Sequence, residues 1–239
     1  ADAGADNVYD VPVQVADGNG GTATQAIAVT VSNVNEAPVI SSGAAVLVAE
    51  NQSGAVTVTS SDVDGGSPVY TIVGGADAAL FTIDGASGAL TFNSAPDFEA
   101  PADSGADNVY DVTVQVSDGN GGTGTQAIAV AVRNVNEAPL ITSHGGGASA
   151  NVAIAENQTA VAVVTSTDID GGAAQYAIAR GADAARFTID AAAGTLRFAS
   201  APDFEAPSDA DRDNVYELVV SVADGNGGSD QQTIAVAVS

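Results

Sequence analysis

The sequence predicts an all-β chain of tandem seven-stranded β-sandwiches with Greek-key connections, set in a linear array. Three observations carry this. Short phrases recur in a fixed order: N-V-Y begins at Asn7, Asn108 and Asn214, and D-G-N-G-G at Asp17, Asp118 and Asp224, an offset of 101 and then 106 residues. A fixed internal period marks repeated structural units. Within each unit apolar residues alternate with polar ones, the period of a half-buried strand. Gly-rich turn sequences separate these runs, and about seven short strands in about a hundred residues suit a sandwich.

Taken in order, Tyr9, Val11, Val13 and Val15 alternate with Asp10, Pro12 and Gln14, and Ile27, Val29 and Val31 repeat the pattern. The N-G-G between these runs supplies a hairpin turn. Pro12 stands where later units carry Thr113 and Val219. Lacking an N–H, it belongs on an edge strand or at a break in pairing. Val56/Val58, Tyr70/Ile72, Phe81/Ile83 and Leu90/Phe92 mark further short strands, with a G-A-S-G turn between Ile83 and Leu90. No helical period runs long enough to compete. The five residues that lengthen the second period fall in the Gly-rich stretch 144–150. An exposed loop accepts such an insertion at little cost.

The register sets the boundaries. Residues 37–137 and 138–239 read as complete repeats, and residues 1–36 as the last two strands of a preceding one. Both ends read as cut from a longer array.

Thirty Asp and Glu against five Arg and no Lys give a net charge of −25. Such a surface repels phosphate backbones and anionic lipid, which argues against nucleic-acid and membrane-surface partners. Part of this acidity is ordinary solvation, but many of the acids sit at repeated motif positions. With no Cys there is no disulfide framework, thiol nucleophile or thiolate zinc site. No apolar run approaches the length of a membrane span. The first residues do not form a signal peptide, so an export signal is expected outside this segment.

Acidic phrases recur in each repeat: A-E-N at Glu50 and Glu156, D-x-D-G at Asp62/Asp64 and Asp168/Asp170, A-P-D-F-E-A-P at Asp97/Glu99 and Asp203/Glu205, and N-V-N-E-A-P at Glu36 and Glu137. Two carboxylates about 5 Å apart repel by roughly 3 kcal/mol at an effective dielectric of 20. Hard oxygen ligands without His or Cys select Ca²⁺ over zinc or copper, and over Mg²⁺, which keeps more of its waters. An EF-hand is excluded, because position 12 counted from Asp62 is Val73 and that loop needs an acid there. The nonapeptide β-roll is excluded because G-N-G-G-T-G-T at Gly119 does not iterate.

This motif set resembles the cadherin domain in its bacterial tandem-repeat form, over both complete repeats and residues 1–36. The resemblance implies a cadherin-like, immunoglobulin-like architecture with Ca²⁺ at each junction. It implies that Glu50, Asp97, Glu99 and Glu137 of one repeat meet Asp168, Asp170 and Asp224 of the next. Val135, Asn136 and Ala138 would add linker oxygens. Asn35, Glu36, Ala37, Asp62, Asp64 and Asp118 would be the set at the first linker, and Glu156, Asp203 and Glu205 the base of the second repeat. The linker departs from the family's D-x-N-D-N-x-P by one residue, and Asn33 and Asn134 replace its leading Asp.

Catalysis finds no constellation. His144 is the sole His and lies in a Gly-rich loop. Asp97 and Glu99 could be imagined as a glycosidase pair, but their recurrence suits ligands. Asn51 and Asn157 match a glycosylation acceptor, yet each directly follows a ligand Glu, which favours a structural role. Asp77 lies outside the motifs and offers a control position.

The expected function is a calcium-rigidified structural or adhesive segment of a long, secreted or cell-surface bacterial protein, not an enzyme. Its partners would be neighbouring repeats, with self-association or a surface glycan as further options. The alternative is a polysaccharide-binding module, which the few aromatics and absent Trp disfavour. A Trp-mediated dimer of the animal kind is excluded with it.

Overall fold

The computed structural model describes residues 4–239. Contacts divide it into two compact units, Ala1–Pro96 with Ala102–Val132, and Asp97–Pro101 with Arg133–Ser239.

The first unit opens with β1 (Val8–Ala16) and β2 (Thr22–Thr30), an antiparallel pair in unbroken register from Val8↔Thr30 to Ala16↔Thr22. It continues with β3 (Val39–Ile40), β4 (Ala45–Ala49), β5 (Gly54–Thr57), β6 (Ser60–Ser61), β7 (Val69–Gly74), β8 (Phe81–Ile83), β9 (Ala89–Phe92), β10 (Val109–Ser117) and β11 (Thr123–Arg133). One sheet runs β4-β11-β10-β7 and another β5-β9-β8, with β3-β6 as a short pair. The expected seven strands resolve as nine segments, because the first two are each interrupted. In the second interruption Val58 leaves its strand so that its N–H reaches the Gly88 carbonyl at 2.8 Å.

The second unit repeats the plan with β12 (Leu140–Ile141), β13 (Ser149–Ile154), β14 (Ala160–Val163), β15 (Ser166–Thr167), β16 (Gln175–Arg180), β17 (Phe187–Ile189), β18 (Thr195–Phe198), β19 (Val215–Ala223) and β20 (Ser229–Val238). Its sheets run β13-β20-β19-β16 and β14-β18-β17, with β12-β15 as the short pair. β13 lies parallel to β20, from Ser149↔Thr233 to Ile154↔Val238.

The alternation read from the sequence is the core. Tyr110, Val112, Val114, Val116, Ile128 and Val130 are buried, as are Tyr216, Leu218, Val220, Val222, Ile234 and Val236. Phe81 and Phe92 stack at 4.5 Å with Tyr110 edge-on to Phe92 at 5.1 Å, and Phe187, Phe198 and Tyr216 repeat this at 4.3 and 4.9 Å. Such tilted and edge-to-face pairs suit the ring quadrupole. The same face of the β1–β2 hairpin is open: Tyr9 is 41% and Val11 46% exposed, where Tyr110 and Val112 are each 1%. Pro12 sits on β1, which pairs on one side only, so its missing N–H breaks no ladder.

Asp77 is not the neutral control that the motifs implied. It is buried, and its carboxylate accepts the N–H of Ser104 at 2.7 Å and of Asp111 at 2.8 Å. Asp183 does the same with Ala210 and Glu217. Each carboxylate ties the loop before β10 or β19 to the sheet, which makes it a structural acid. His144 is exposed in the turn Ser143–Gly145, inside the extended loop. Asn51 and Asn157 both adopt φ 62, and their N–H groups donate to the Pro96 and Pro202 carbonyls at 2.9 Å.

Candidate functional site

In the first unit the linker after β2 lies against two loops. The Asn33 amide donates to Asp64 Oδ1, and the Glu36 N–H donates to Asp64 Oδ2 at 2.7 Å. The Asn35 amide donates to Asp118 Oδ2 at 2.8 Å and to the Glu36 carbonyl at 3.2 Å. Asp118 splits its oxygens, since Oδ1 accepts Asn120 and Gly122 N–H at 2.7 and 3.0 Å and so closes the turn between β10 and β11. Asp62 accepts the Asp64 N–H through Oδ1 at 2.9 Å. Its Oδ2 is sealed from solvent and accepts nothing among the described residues. Asp62 and Asp118 line one hollow of about 70 Å³.

The second unit holds the corresponding arrangement with one more carboxylate. The Asn134 amide donates to Asp170 Oδ1 at 2.7 Å and to Glu99 Oε1 at 2.6 Å. The Glu137 N–H donates to Asp170 Oδ2 at 2.6 Å. The Asn136 amide donates to Asp224 Oδ2 at 2.7 Å and the Glu137 carbonyl at 3.0 Å, while Asp224 Oδ1 accepts Asn226 and Gly228 N–H. Asp168 Oδ1 accepts the Asp170 N–H at 3.1 Å. Carboxylate oxygens of Glu99 and Glu137 lie within 4.8 Å of each other. Asp97 is exposed and turns its Oδ1 to the N–H of Glu99 and Ala100, each at 3.0 Å, fixing the loop that presents Glu99. Further along, Glu156, Asp203 and Glu205 bring oxygens within 4.8 Å, and Glu156 accepts the Phe204 N–H at 2.9 Å. Glu50, directly after β4, is buried with 2% exposure.

The electrostatics show crowding partly relieved by donors. The Glu36 carboxyl is held above the usual range by its hydrogen bond to Asp64, then by Asp64's charge. Asp64 is lowered by Asn33 and then by the Glu36 N–H, and Asp118 by Asn35 and then by the Asn120 N–H. Asp170 is lowered by the Glu137 N–H and then Asn134, and Asp224 first by Asn136. The four lowered groups, Asp64, Asp118, Asp170 and Asp224, stay ionised at neutral pH.

Two contributors were not read from the sequence as site residues. Asn33 and Asn134 read only as a lost charge, yet their amides bind the very carboxylates that converge. The last glycine of D-G-N-G-G is the other. A Cβ on Gly228 would stand 2.7 Å from Ala138 Cα and 2.9 Å from the Glu137 carbonyl, and one on Gly122 would stand 2.9 Å from Ala37 Cα and the Glu36 carbonyl. The glycine lets the linker lie flat on the turn, and its recurrence in the motif was the available signal. Ala37 and Ala138 thus occupy the contact with this glycine, and Val135 is an exposed linker residue.

Oxygen-only donors, ionised and partly unpaired, fit a hard cation. The sealed, unpartnered Asp62 Oδ2 beside a hollow is the most direct sign of that fit.

The fold defines a class: cadherin-like, Ig-like β-sandwiches. Residues 150–239 match the cadherin domain, and residues 35–131 match the bacterial Ig domain. The chain is 42% identical over 71 residues to halomucin of Haloquadratum walsbyi (strain DSM 16790 / HBSQ001), a stretch that covers 28% of this chain and 1% of that protein. Its fold is similar to the protocadherin gammaB7 EC3-6 cis-dimer structure, with a TM-score of 0.58 and 22% identity, over 97% of this chain and 60% of that one. It is also similar to human protocadherin-24 EC1-2 (Form II), with a TM-score of 0.56 and 20% identity, over 85% and 98% of the two chains. The matched families are structural sandwich modules. No helix among the described residues is long and apolar enough to cross a membrane.

Proposed function

We propose that this chain is a calcium-stiffened structural and adhesive segment of a long extracellular bacterial protein. Residues 37–137 and 138–239 would be two repeats, and residues 1–36 the closing hairpin of another. The observation that carries the reading is the Asn134 amide, bonded at once to Glu99 and Asp170. Those carboxylates come from opposite sides of the linker in sequence, yet one donor serves both.

The residues that would hold Ca²⁺ at the 137/138 linker are Glu50, Asp97, Glu99, Glu137, Asp168, Asp170 and Asp224, with oxygens of Val135, Asn136 and Ala138. At 36/37 they are Asn35, Glu36, Ala37, Asp62, Asp64 and Asp118. Glu156, Asp203 and Glu205 would be the base set of the second repeat. The bound ion supplies positive charge that this lysine-free chain lacks. The chain's own part is to hold the carboxylates in place before metal arrives. Asp224 and Asp118 are fixed by their turns, Asp170 and Asp64 by linker N–H groups, and Glu99 by the Asp97 loop. Affinity is expected at roughly 10⁻⁴ to 10⁻³ M, as in extracellular modules.

The test is cleavage by a Glu-specific protease at Glu137, with melting followed in parallel. Millimolar Ca²⁺ should slow the cut and raise the melting temperature by mass action. Glu99→Gln should remove most of both effects, and Asp10→Asn, an exposed acid on β1, should remove neither. Identical cleavage and melting in Ca²⁺ and in chelator would end the proposal.

A further inference from the structure

The second repeat carries a carboxylate cluster outside the linker sets. The segment before β19 reads P-S-D-A-D-R-D-N from Pro207, where the first repeat reads P-A-D-S-G-A-D-N from Pro101. Asp209, Asp211 and Asp213 therefore stand where the first repeat has Asp103, Gly105 and Asp107. One carboxylate oxygen from each of the three lies within 4.8 Å of the others.

The two repeats treat the buried acid differently. In the first, both oxygens of Asp103 accept backbone hydrogen bonds, from Asp107 at 3.0 Å and Asn108 at 3.1 Å. In the second, Asp209 is 4% exposed and its Oδ2 accepts the Asp213 N–H at 2.8 Å. Its Oδ1 is sealed from solvent, and nothing among the described residues donates to it. A buried acceptor without a partner is unfavourable and demands an explanation. Here the orphan belongs to the repeat that has gained Asp211.

The loop is held rather than floppy. Asp183 accepts the Ala210 N–H at 2.7 Å and the Glu217 N–H at 2.8 Å, and the Tyr216 hydroxyl accepts the Ser208 N–H at 3.2 Å. Asp213 Oδ1 accepts the Val215 N–H at 2.8 Å. Asp211 and Asp213 border a hollow of about 280 Å³ whose other charged lining groups are Asp183 and Glu217, both acidic. Arg186 and Arg212 border a separate hollow beside Asp209. The Asp211 carboxyl is pushed above its ordinary value, first by the charge of Asp213.

We propose that Asp209, Asp211 and Asp213 form a further hard-cation site that takes Ca²⁺, internal to the second repeat. The three carboxylates supply half or fewer of the six to eight oxygens that Ca²⁺ takes, and water supplies the rest. The orphaned Asp209 Oδ1 is the inner ligand, and Asp211 is the outer one that the first repeat lacks. The site stands independently of the linker reading, because none of its ligands belongs to the linker sets.

Equilibrium dialysis with Ca²⁺ on the whole chain tests it. Asp211→Gly installs the residue that the first repeat carries at this place, and Asp211→Asn keeps the side chain's shape should the glycine loosen the loop. Each variant should bind one ion fewer per chain than the wild type. The same loss of one ion should appear when Asp211→Asn is added to Glu99→Gln, which separates this site from the linker. Equal ion counts in wild type, Asp211→Gly and Asp211→Asn would overturn the proposal.

Discussion

The side-chain amide of Asn136 donates to Asp224 Oδ2 at 2.7 Å, and 101 residues earlier Asn35 donates to Asp118 Oδ2 at 2.8 Å. The linker is thus fastened to the hairpin turn by the same bond in both repeats. Asn136→Ala should lower the melting temperature in chelator by a few degrees, a shift expected from the loss of about 1 kcal/mol in a domain of this size. Differential scanning calorimetry reads this directly, and an unchanged transition would mean that the bond carries no weight.

Gly228→Ala should be worse than its size suggests. The added carbon meets linker backbone at Ala138 and Glu137, and also the Asp224 carboxylate, which its bonds to the turn and to Asn136 hold in place. Overpacking of this kind costs about 1–3 kcal/mol. Urea denaturation should show the loss, whereas Gly225→Ala in the same turn would test only its positive φ of 83.

Asp183→Ala should leave the N–H groups of Ala210 and Glu217 without their acceptor. A hydrogen bond to a charged group contributes about 1.5–3 kcal/mol. The loss should already be present in chelator, because these bonds need no metal. Asp77→Ala should behave alike in the first repeat.

Acid should act through the turn after F-T-I. Asp84 is held below the ordinary carboxylate range by the Ser87 N–H, then its hydroxyl and the Ala86 N–H; Asp190 is held there by the N–H of Ala193 and Ala192. A carboxyl lowered on folding contributes stability above its unfolded pKa, about 3.9, and loses it as pH falls through the folded value. The stability difference between wild type and Asp84→Asn should therefore be full at pH 6 and shrink below about pH 4. Urea midpoints across that range check the sign.

Much of the fold was legible because burial alternates strictly. Val112, Val114 and Val116 face inward, and the intervening residues were polar enough to mark the period. The convergence of Asn35 with Asp118, and of Asn136 with Asp224, followed from motif order and the family resemblance. Asp77 and Asp183 were missed because a buried structural acid has no spacing of its own. Its partners are backbone N–H groups 27 and 34 residues away, and those carry no side-chain signature. The amides of Asn33 and Asn134 were missed for a related reason: sequence records a lost charge but not a gained donor.

The parallel run of β13 along β20 has a mechanical consequence. Six residue pairs, from Ser149↔Thr233 to Ile154↔Val238, join the opening and closing strands of the repeat. Tension applied along these strands in opposite senses loads those rungs side by side in shear, where an antiparallel hairpin pulled at its open end would peel one rung at a time. Resistance to such pulling is governed by the unfolding barrier, not by equilibrium stability. The clamp that closes the sandwich is thereby also the part that would set how much load a repeat bears before it yields.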